Sequence, residues 1–547
     1  MIAPFVLSLL FVAAPAQEPG ERADEPATDT EAKPTSEEPE AAADEPSPPQ
    51  ARKAEGKASR TAEKTPEKPP EKEEPPVATR HEMKRADGRV LRYTVTTGLM
   101  PLKNDKGETE ARIFFMAYQL ERASGPETRP LMFSFNGGPG SSSVWLHLGA
   151  LGPKRVKMQP DGAMPSPPYR LVDNEQTWLD LPDLVFIDPV GTGYSRPAKP
   201  KLGPKFWSLK GDIASVGEFI RLFLTRYERW ASPLFLVGES YGTTRAAGLA
   251  GHLVERGIAF NGIVLVSSIL NFQTAEFAKG NDLPYALYLP TYTATAWHHK
   301  RLPADLQAKP LAEVLAEAKA FARSEYPLLL QKGDRLTEAE RKEGVARLAR
   351  LTGLSPAWID AADLRVEIER FCKELLRDGR RTVGRLDSRF KGIDLDAAGE
   401  TPEFDPSMAA IRPPYTAAFN DYVRRELGYK TDAVYHVLGG GVGRWDFGRA
   451  GEGFPDTSEA LRRAFSRNPD MRVFVASGHF DLATPFFATE YTIAHLGLDP
   501  SQRGRIATAE YESGHMMYID EGELARLRKD VAAFVAGALA PPAPATR

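Results

Sequence analysis

Leu234-Phe-Leu-Val-Gly-Glu-Ser-Tyr-Gly-Thr-Thr244 has the pattern of a short apolar strand that turns directly into a helix of small residues. Gly238 and Gly242 let the backbone pass close to itself in a tight turn, where a Cβ atom would clash. The pattern predicts a nucleophile elbow that exposes the Ser240 hydroxyl at the carboxyl end of the strand. The same pentapeptide also occurs in ordinary glycine-rich loops, so this interpretation depends on whether the chain supplies partners for the serine.

Strands and helices alternate on both sides of this stretch. Apolar strand patterns at 130–135, 183–188 and 263–266 are separated by helical patterns such as 209–227 and 246–256. The alternation predicts right-handed crossovers and an α/β fold, with a mostly parallel central sheet and helices on both of its faces. In such sheets ligands bind at the carboxyl ends of the strands.

Glycine-rich loops follow two of these strands. They read Asn136-Gly-Gly-Pro-Gly-Ser-Ser-Ser143 and Asp188-Pro-Val-Gly-Thr-Gly-Tyr-Ser195. Consecutive glycines let backbone N–H groups face a ligand, as the second half of an oxyanion hole requires. An anion-binding nest or an ordinary turn is the alternative for the first loop.

The late part of the chain supplies an acid and a base for Ser240. A strand pattern at 471–477 is followed by a loop with Asp481, and the last strand pattern, 506–511, is followed by a loop with His515. Serine, acid and histidine follow one another in this order in α/β-hydrolases. His515 would take the proton of Ser240 and return it to the leaving amine, and Asp481 would orient the imidazole.

Three other titratable residues compete for these roles. His479 lies only two residues before Asp481, and His495 falls in an apolar helical pattern that predicts packing. Asp188 precedes the serine in the chain, and we expect it to hold its own turn. His515 is therefore the preferred base.

The chain begins with features of an exported protein. An apolar run at 5–13, followed by Ala14-Pro-Ala16, predicts a cleaved signal peptide over 1–16, although no Lys or Arg precedes the run and a short N-terminal anchor is the alternative. Residues 17–79 are almost entirely Glu, Pro, Ala, Lys, Ser, Thr and Asp, which predicts a disordered tether. We expect a periplasmic or extracellular protein, held near the membrane by this tether, with no membrane span in the mature chain.

The rest of the sequence predicts one core interrupted by an insertion. The first part of the core, 80–270, starts with a hairpin-like alternation. Charged amphipathic helical patterns without buried strands predict a helical cap over 271–430. The sheet resumes over 431–540, and we expect 541–547 to be a disordered tail.

The composition argues against several other classes of protein. The chain has one cysteine, Cys372, which cannot form an internal disulfide, so the prediction of export rests on the N-terminus alone. A formal net charge of −4 does not indicate a nucleic-acid partner. The sequence shows no metal-ligand cluster and no phosphate-binding loop, so we expect no metal and no other cofactor. The oligomeric state is not predicted.

Five motifs together resemble the serine carboxypeptidase family. They are Asn136-Gly-Gly-Pro-Gly-Ser-Ser, Asp188-Pro-Val-Gly-Thr-Gly-Tyr-Ser, Gly238-Glu-Ser-Tyr-Gly, Gly478-His-Phe-Asp-Leu-Ala-Thr-Pro and Gly514-His-Met, in the order typical of that family. The resemblance implies an α/β-hydrolase fold with a helical cap inserted late in the sheet. It also implies removal of C-terminal residues from peptides through an acyl-enzyme.

The resemblance further implies roles for residues around the nucleophile. Gly138 and Tyr241 would supply the N–H groups of the oxyanion hole. Asn136, the Gly137 backbone and Glu239 would hold the terminal carboxylate of the substrate. A carboxyl group binds a carboxylate only when it is protonated, so Glu239 should have a raised pKa and favour activity at mildly acidic pH.

Three positions depart from the family pattern. Phe135 stands two residues before Gly137, where a tryptophan often precedes the asparagine. Ser141 stands where the family usually has a disulfide cysteine, in keeping with a bacterial-type chain without disulfides. Ala150 stands where members commonly have a glutamate that shares a proton with the one beside the nucleophile. Without that second glutamate, the preference for acidic pH is open.

Two other functions are open at this point. An esterase or acyltransferase would use the same catalytic residues, although Asn136 and Glu239 are useful mainly for a free carboxylate. A non-catalytic surface protein would act through its tether, although the set Ser240, Asp481 and His515 argues against it. We therefore expect a serine-type carboxypeptidase that acts on peptides with a free C-terminus.

Overall fold

The computed structural model describes residues 73–121, 129–448 and 453–540. The predicted signal peptide, the predicted tether up to residue 72 and the predicted tail lie outside the described residues. Within these three ranges, no helix combines the length and the apolar character that a membrane span requires.

A ten-stranded mixed sheet forms the centre of the described chain. Its strands are β1 (Val77–Lys84), β2 (Val90–Lys103), β3 (Thr109–Leu120), β4 (Leu131–Phe135), β7 (Asp183–Asp188), β8 (Arg196–Pro197), β9 (Leu234–Ser240), β10 (Gly262–Ser268), β13 (Arg472–Gly478) and β14 (Ile506–Tyr511). Small two-stranded sheets pair β5 (Lys154–Val156) with β6 (Leu171–Asp173), and β11 (Thr382–Val383) with β12 (Lys391–Gly392).

The central sheet has the strand order β1-β2-β3-β7-β4-β9-β10-β13-β14, with β8 paired to β3. From β7 to β14 every neighbouring pair is parallel, whereas β1, β2 and β3 pair antiparallel and join the sheet at β7. Because the six parallel strands run in one direction, the loops that follow them lie at the same edge of the sheet.

The helices are α1 (Val144–Leu146), α2 (Gly203–Phe206), α3 (Leu209–Arg226), α4 (Tyr241–Val254), α5 (Leu283–His298), α6 (Ala304–Gln307), α7 (Leu311–Arg323), α8 (Glu325–Lys332), α9 (Glu338–Thr352), α10 (Pro356–Ala361), α11 (Ile368–Glu374), α12 (Pro406–Arg425), α13 (Ser458–Arg467), α14 (Phe486–Ala494) and α15 (Glu521–Leu539). Alternate residues of the parallel strands fill two cores. On β9, Leu234 and Leu236 pack with α3, α4 and α13, whereas Phe235 and Val237 pack with α12 and α15. The period-2 alternation of strand side chains thus places helices on both faces of the sheet.

The segment predicted as a cap, 271–430, contains α5 to α12. Helices α5 to α11 share a third apolar core, which also takes Phe486 and Phe487 from α14. Helix α12, near the end of the segment predicted as a cap, packs instead in the core of the sheet through Tyr415 and Phe419.

The first strand differs from the sequence-based expectation. β1 begins at Val77, so residues 77–79 belong to the sheet and not to the predicted tether. Only Met83 is buried in this strand, and its other side chains are exposed or half-buried. The apolar pattern is therefore weak, and pairing with β2 along the whole strand holds it in the sheet.

A buried ionic cluster joins the starts of three neighbouring strands. Asp183, the first residue of β7, accepts hydrogen bonds from Arg129 Nε at 2.6 Å and from Arg229 Nη1 at 2.8 Å. Arg129 lies just before β4 and Arg229 just before β9. All three side chains are at most 3% exposed, so each charge depends on the others for its stabilisation.

We predict that Asp183→Ala lowers the free energy of unfolding by about 3–5 kcal/mol, because it leaves two buried guanidinium groups without their carboxylate. Urea unfolding followed by circular dichroism measures this loss. Asp421→Ala is the matched control, since Asp421 pairs with Arg425 at 2.6 Å on an exposed helix surface, where loss of the pair should cost little. Equal losses in the two variants would contradict the role of the buried cluster.

Candidate active site

The turn at Ser240 has the geometry of a nucleophile elbow. Strand β9 ends at Ser240 and helix α4 starts at Tyr241, and Ser240 itself has φ 60° and ψ −131°, a region that residues with a Cβ atom rarely adopt. A Cβ atom at Gly238 would lie 2.2 Å from the carbonyl oxygen of Gly242. The two glycines thus allow the tight turn that the sequence predicts, and they place Ser240 at the carboxyl edge of the sheet.

The loop after β4 lies directly against this elbow. A Cβ atom at Gly137 would lie 2.4 Å from the backbone nitrogen of Tyr241 and 2.7 Å from the carbonyl oxygen of Glu239. Gly138 follows with φ +102°, in the region that favours glycine. Tyr241 is the first residue of α4, so its N–H has no partner within the helix. The structure therefore brings the two predicted oxyanion-hole residues, Gly138 and Tyr241, to adjoining loops.

Arg245 links the glycine loop after β4 to helix α4 through buried hydrogen bonds. It lies on α4, its Nη1 donates to the Asn136 carbonyl oxygen at 2.7 Å, and its Nε donates to Asp212 Oδ2 on α3 at 2.8 Å. The guanidinium is fully buried and lies over the ring of Phe135, with 5.1 Å from its Cζ to the ring centroid. Arg245 thus fixes the start of the glycine loop relative to the nucleophile helix. No sequence pattern indicated this role.

Asp481 and His515 form the predicted acid–base pair. The Nδ1 atom of His515 donates to Asp481 Oδ2 at 2.8 Å, and both side chains are buried. Asp481 also accepts from the Ala483 N–H at 2.8 Å and from the Thr484 N–H and hydroxyl at 3.0 and 2.7 Å. These donors stabilise the carboxylate and fix its orientation, which leaves His515 Nε2 for a nucleophile. Thr484 had no signal in the sequence beyond its place in the loop.

Strand β10 holds His515 close to the elbow. Ser268 pairs with Ser240 in the sheet, and the neighbouring Ser267 donates its hydroxyl to the His515 carbonyl oxygen at 2.6 Å. The His515 N–H donates to the Leu386 carbonyl oxygen at 2.7 Å, which fixes the other side of the loop. The hydrogen bonds among the described residues do not include one between Ser240 and His515, a contact that often tightens only when substrate binds.

Glu239 is buried beside the nucleophile at 3% exposure. Burial raises the pKa of its carboxyl group to about 7, although His515 and the hydrogen bond from Tyr518 favour the charged form. The Tyr518 hydroxyl donates to Glu239 Oε2 at 2.6 Å. The Asn136 amide faces the same carboxyl group and also favours its charged form, although its buried Nδ2 has no well-aligned hydrogen-bond partner among the described residues. Glu239 and Asn136 therefore offer a protonated carboxyl and an unused donor to a ligand.

The pKa of His515 is raised as well, but for a different reason. Burial alone would lower the pKa of His515, but the charge of Asp481 and its hydrogen bond outweigh burial, so that the pKa lies above its ordinary value. The charge of Glu239 raises it further. Because Glu239 and His515 each affect the ionisation of the other, they titrate as a coupled pair.

The competing residues are engaged elsewhere. His479 Nε2 bonds to Glu510 Oε2 at 2.9 Å, and Asp188 Oδ1 accepts from the N–H and hydroxyl of Ser143 at 2.8 Å each. The prediction that His495 is packed in a helix was wrong: it follows the last residue of α14 as the C-cap and is exposed, with its ring stacked on that of Tyr491. The ranges that the structure describes contain no group of three or more His, Cys, Asp or Glu side chains able to hold a metal ion.

Comparison with known protein families matches one segment of this chain. Residues 89–310 match the family described as serine carboxypeptidase. The segment contains Asn136, Glu239 and Ser240, whereas Asp481 and His515 lie beyond it. The placement of the acid and the base in the site therefore rests on the geometry described above.

Two curated relatives show the extent of the similarity. Serine carboxypeptidase-like 13 from Arabidopsis thaliana is 29% identical over 184 residues, which is 33% of this chain and 40% of the relative. Pheromone-processing carboxypeptidase KEX1 from Saccharomyces cerevisiae is 32% identical over 158 residues, which is 26% of this chain and 20% of the relative. The matched segments thus span less than half the length of these relatives.

A solved structure extends the similarity to the fold. Kex1(delta)p, a prohormone-processing carboxypeptidase from Saccharomyces cerevisiae, matches with a TM-score of 0.50 and 16% sequence identity, over 81% of this chain and 91% of the other. The α/β-hydrolase fold expected from the sequence is thereby confirmed.

We predict that Gly137→Ala slows the labelling of Ser240 by a phosphonate probe by on the order of 10²-fold. The added Cβ atom would lie 2.4 Å from the Tyr241 backbone nitrogen, so the loop must move and carry Gly138 away from the elbow. Mass spectrometry of the labelled protein over time measures the rate. Gly504→Ala, where the added Cβ atom would have no neighbour within 4 Å, is the control and should label at the unmodified rate. Unchanged labelling of Gly137→Ala would argue against this loop as part of an oxyanion hole.

Proposed function

We propose that this chain, whose residues 89–310 belong to the serine carboxypeptidase family, is a serine-type carboxypeptidase that releases C-terminal residues from peptides. The observation that carries the proposal is a buried, readily protonated Glu239 one residue before Ser240, with the Asn136 amide facing it. An enzyme that acts on internal peptide bonds or on simple esters has no use for such a site beside its nucleophile. A terminal carboxylate is the group that this site would bind.

The reaction follows from the roles of the neighbouring groups. Ser240 Oγ attacks the carbonyl carbon of the last peptide bond while His515 Nε2 takes its proton. The N–H groups of Gly138 and Tyr241 stabilise the oxyanion that forms. His515 then donates the proton to the leaving amine, and the C–N bond breaks. Water hydrolyses the resulting acyl-enzyme with His515 again as the base.

The free C-terminus of the substrate belongs to the residue that is released, on the leaving-group side of the peptide bond that breaks. The protonated Glu239 carboxyl and the Asn136 Nδ2 donate hydrogen bonds to the terminal carboxylate, and the Gly137 backbone supports it. A peptide amide cannot accept from both donors in the same way, so the site should prefer the acid. Peptides with a free C-terminus are therefore the proposed substrates.

Titration of Glu239 limits activity at high pH, and titration of His515 limits it at low pH. Binding needs protonated Glu239, whose pKa of about 7 makes this form decline as pH rises through that value. Catalysis needs neutral His515, and this form declines as pH falls through the raised pKa of the imidazole. The expected profile for a free-acid substrate is a bell, with Glu239 setting the fall at high pH and His515 the fall at low pH.

We predict that a blocked dipeptide with a free carboxylate is cleaved faster than its C-terminal amide, and that this preference fades as pH rises above about 7. Product release measured by liquid chromatography from pH 4 to 8 tests both statements. Ser240→Ala should lower kcat by about 10³-fold or more on the acid. If acid and amide react alike, or if only simple esters react, the substrate class is that of an esterase or acyltransferase.

We further propose that the enzyme is exported to the periplasm or the cell exterior. The support is the apolar run at 5–13 with Ala14-Pro-Ala16 after it, and the Glu-, Pro-, Ala- and Lys-rich composition of the following segment, which would tether the enzyme near the membrane. Fractionation of cells that express the full chain should place the protein outside the cytoplasm, and a variant with Leu7→Lys and Leu10→Lys should remain inside. Cytoplasmic retention of the unmodified chain would contradict export.

A further inference from the structure

Tyr518 contacts Glu239 directly. Its hydroxyl donates to Glu239 Oε2 at 2.6 Å, and both side chains are at most 3% exposed. Tyr518 lies in the short turn Met517–Ile519, three residues after His515, so the loop that presents the base also presents this hydroxyl. The two functions of the site, proton transfer and carboxyl positioning, are therefore supplied by one loop.

The chain makes room for this tyrosine at Gly149, the residue before Ala150. A Cβ atom at Gly149 would lie 2.4 Å from Tyr518 Cε2 and 2.7 Å from the Tyr415 hydroxyl. Ala150 is the position at which the family resemblance leads us to expect a second glutamate. In this chain, the side chains of Tyr518 and Tyr415 fill the space next to Gly149, and Tyr518 supplies a hydrogen bond to Glu239.

Among the described groups that face Glu239, Tyr518 is the one whose hydroxyl donates a hydrogen bond to it. His515 and Asp481 act on Glu239 through their charges, and the Asn136 amide faces it from the glycine loop. Tyr415 on α12 lies near enough to respond to the charge of Glu239, with no hydrogen bond between them among the described residues. Burial keeps the pKa of Tyr518 well above its ordinary value, so this tyrosine stays a donor at every pH at which the enzyme works.

We propose that Tyr518 is a positioning residue for recognition of the substrate's terminal carboxylate. This inference rests on the proposed carboxypeptidase function. By donating to Oε2, the Tyr518 hydroxyl directs the proton of the neutral carboxyl group to Oε1, and Oε1–H then donates to the substrate. A second glutamate would itself titrate, whereas Tyr518 holds Glu239 with a donor that does not change with pH.

The test compares Tyr518→Phe with the unmodified enzyme on the free-acid dipeptide and its amide. We expect KM for the acid to rise roughly ten-fold and kcat to change less than about two-fold, because the lost hydrogen bond orients the binding group and not the nucleophile. Activity on the amide should not change. The hydrogen bond favours the charged form of Glu239, so its removal should shift the high-pH fall of the acid preference to higher pH.

Tyr511→Phe is the matched control, because it also removes one hydrogen-bonded hydroxyl group from a buried tyrosine and keeps the ring. The Tyr511 hydroxyl donates to Asp530 Oδ2 at 2.8 Å, on the same C-terminal part of the chain but away from Glu239. This variant should keep the acid preference and its pH dependence. In a Glu239→Ala background, Tyr518→Phe should change KM for the acid by less than about two-fold, because its partner is already absent.

The outcomes separate the two proposals. If the unmodified enzyme prefers the acid and Tyr518→Phe leaves both KM and the pH limb unchanged, the role of Tyr518 is wrong and the carboxypeptidase function stands. An equal effect of Tyr518→Phe with and without Glu239 would also overturn it, since the effect would then not pass through that carboxyl group. If the unmodified enzyme does not distinguish acid from amide, both proposals fail.

Discussion

The close contact between two backbone turns determines the rest of the site. Gly137 lies so near the elbow that a Cβ atom there would meet the Tyr241 nitrogen at 2.4 Å, and one at Gly242 would meet the Phe135 carbonyl oxygen at 2.9 Å. Only glycine permits this distance, and the close contact brings the predicted oxyanion-hole residues of the two turns next to each other. The strained φ of Ser240 is held by the same contact, with Arg245 joining the two turns from behind.

The electrostatics of the site follow from burial of two groups that prefer different protonation states. Removal from water stabilises neutral Glu239, whereas the Asp481 carboxylate stabilises protonated His515 in spite of burial. Each group, when charged, favours the charged form of the other. The proposed binding and catalysis nevertheless need both groups neutral, so under that proposal recognition and proton transfer are possible together only in a limited range of pH.

The sequence predicted the parts of the structure that depend on local pattern. Strand-to-helix turns, glycine loops and the order of Ser240, Asp481 and His515 are written in contiguous residues, and the sheet and the pairing of Asp481 with His515 agree with them. Contacts between distant segments had no such signal. Tyr518 meets Glu239 across 279 positions, and the edge strand β1 has one buried side chain, so neither produces a periodic pattern.

The buried ion pairs and the candidate active site lie at opposite ends of the same parallel strands. Asp183 is at the start of β7, where Arg129 and Arg229 bring the starts of β4 and β9 together. The glycine loop and the elbow follow the other ends of β4 and β9. Since the three strands are neighbours and parallel, fixing their starts also fixes the distance between the loops at their ends. The ion pairs of Asp183 hold the starts of the strands in register. The fold can therefore tolerate the strained backbone of Ser240 and the buried carboxyl group of Glu239 at the other ends of the strands.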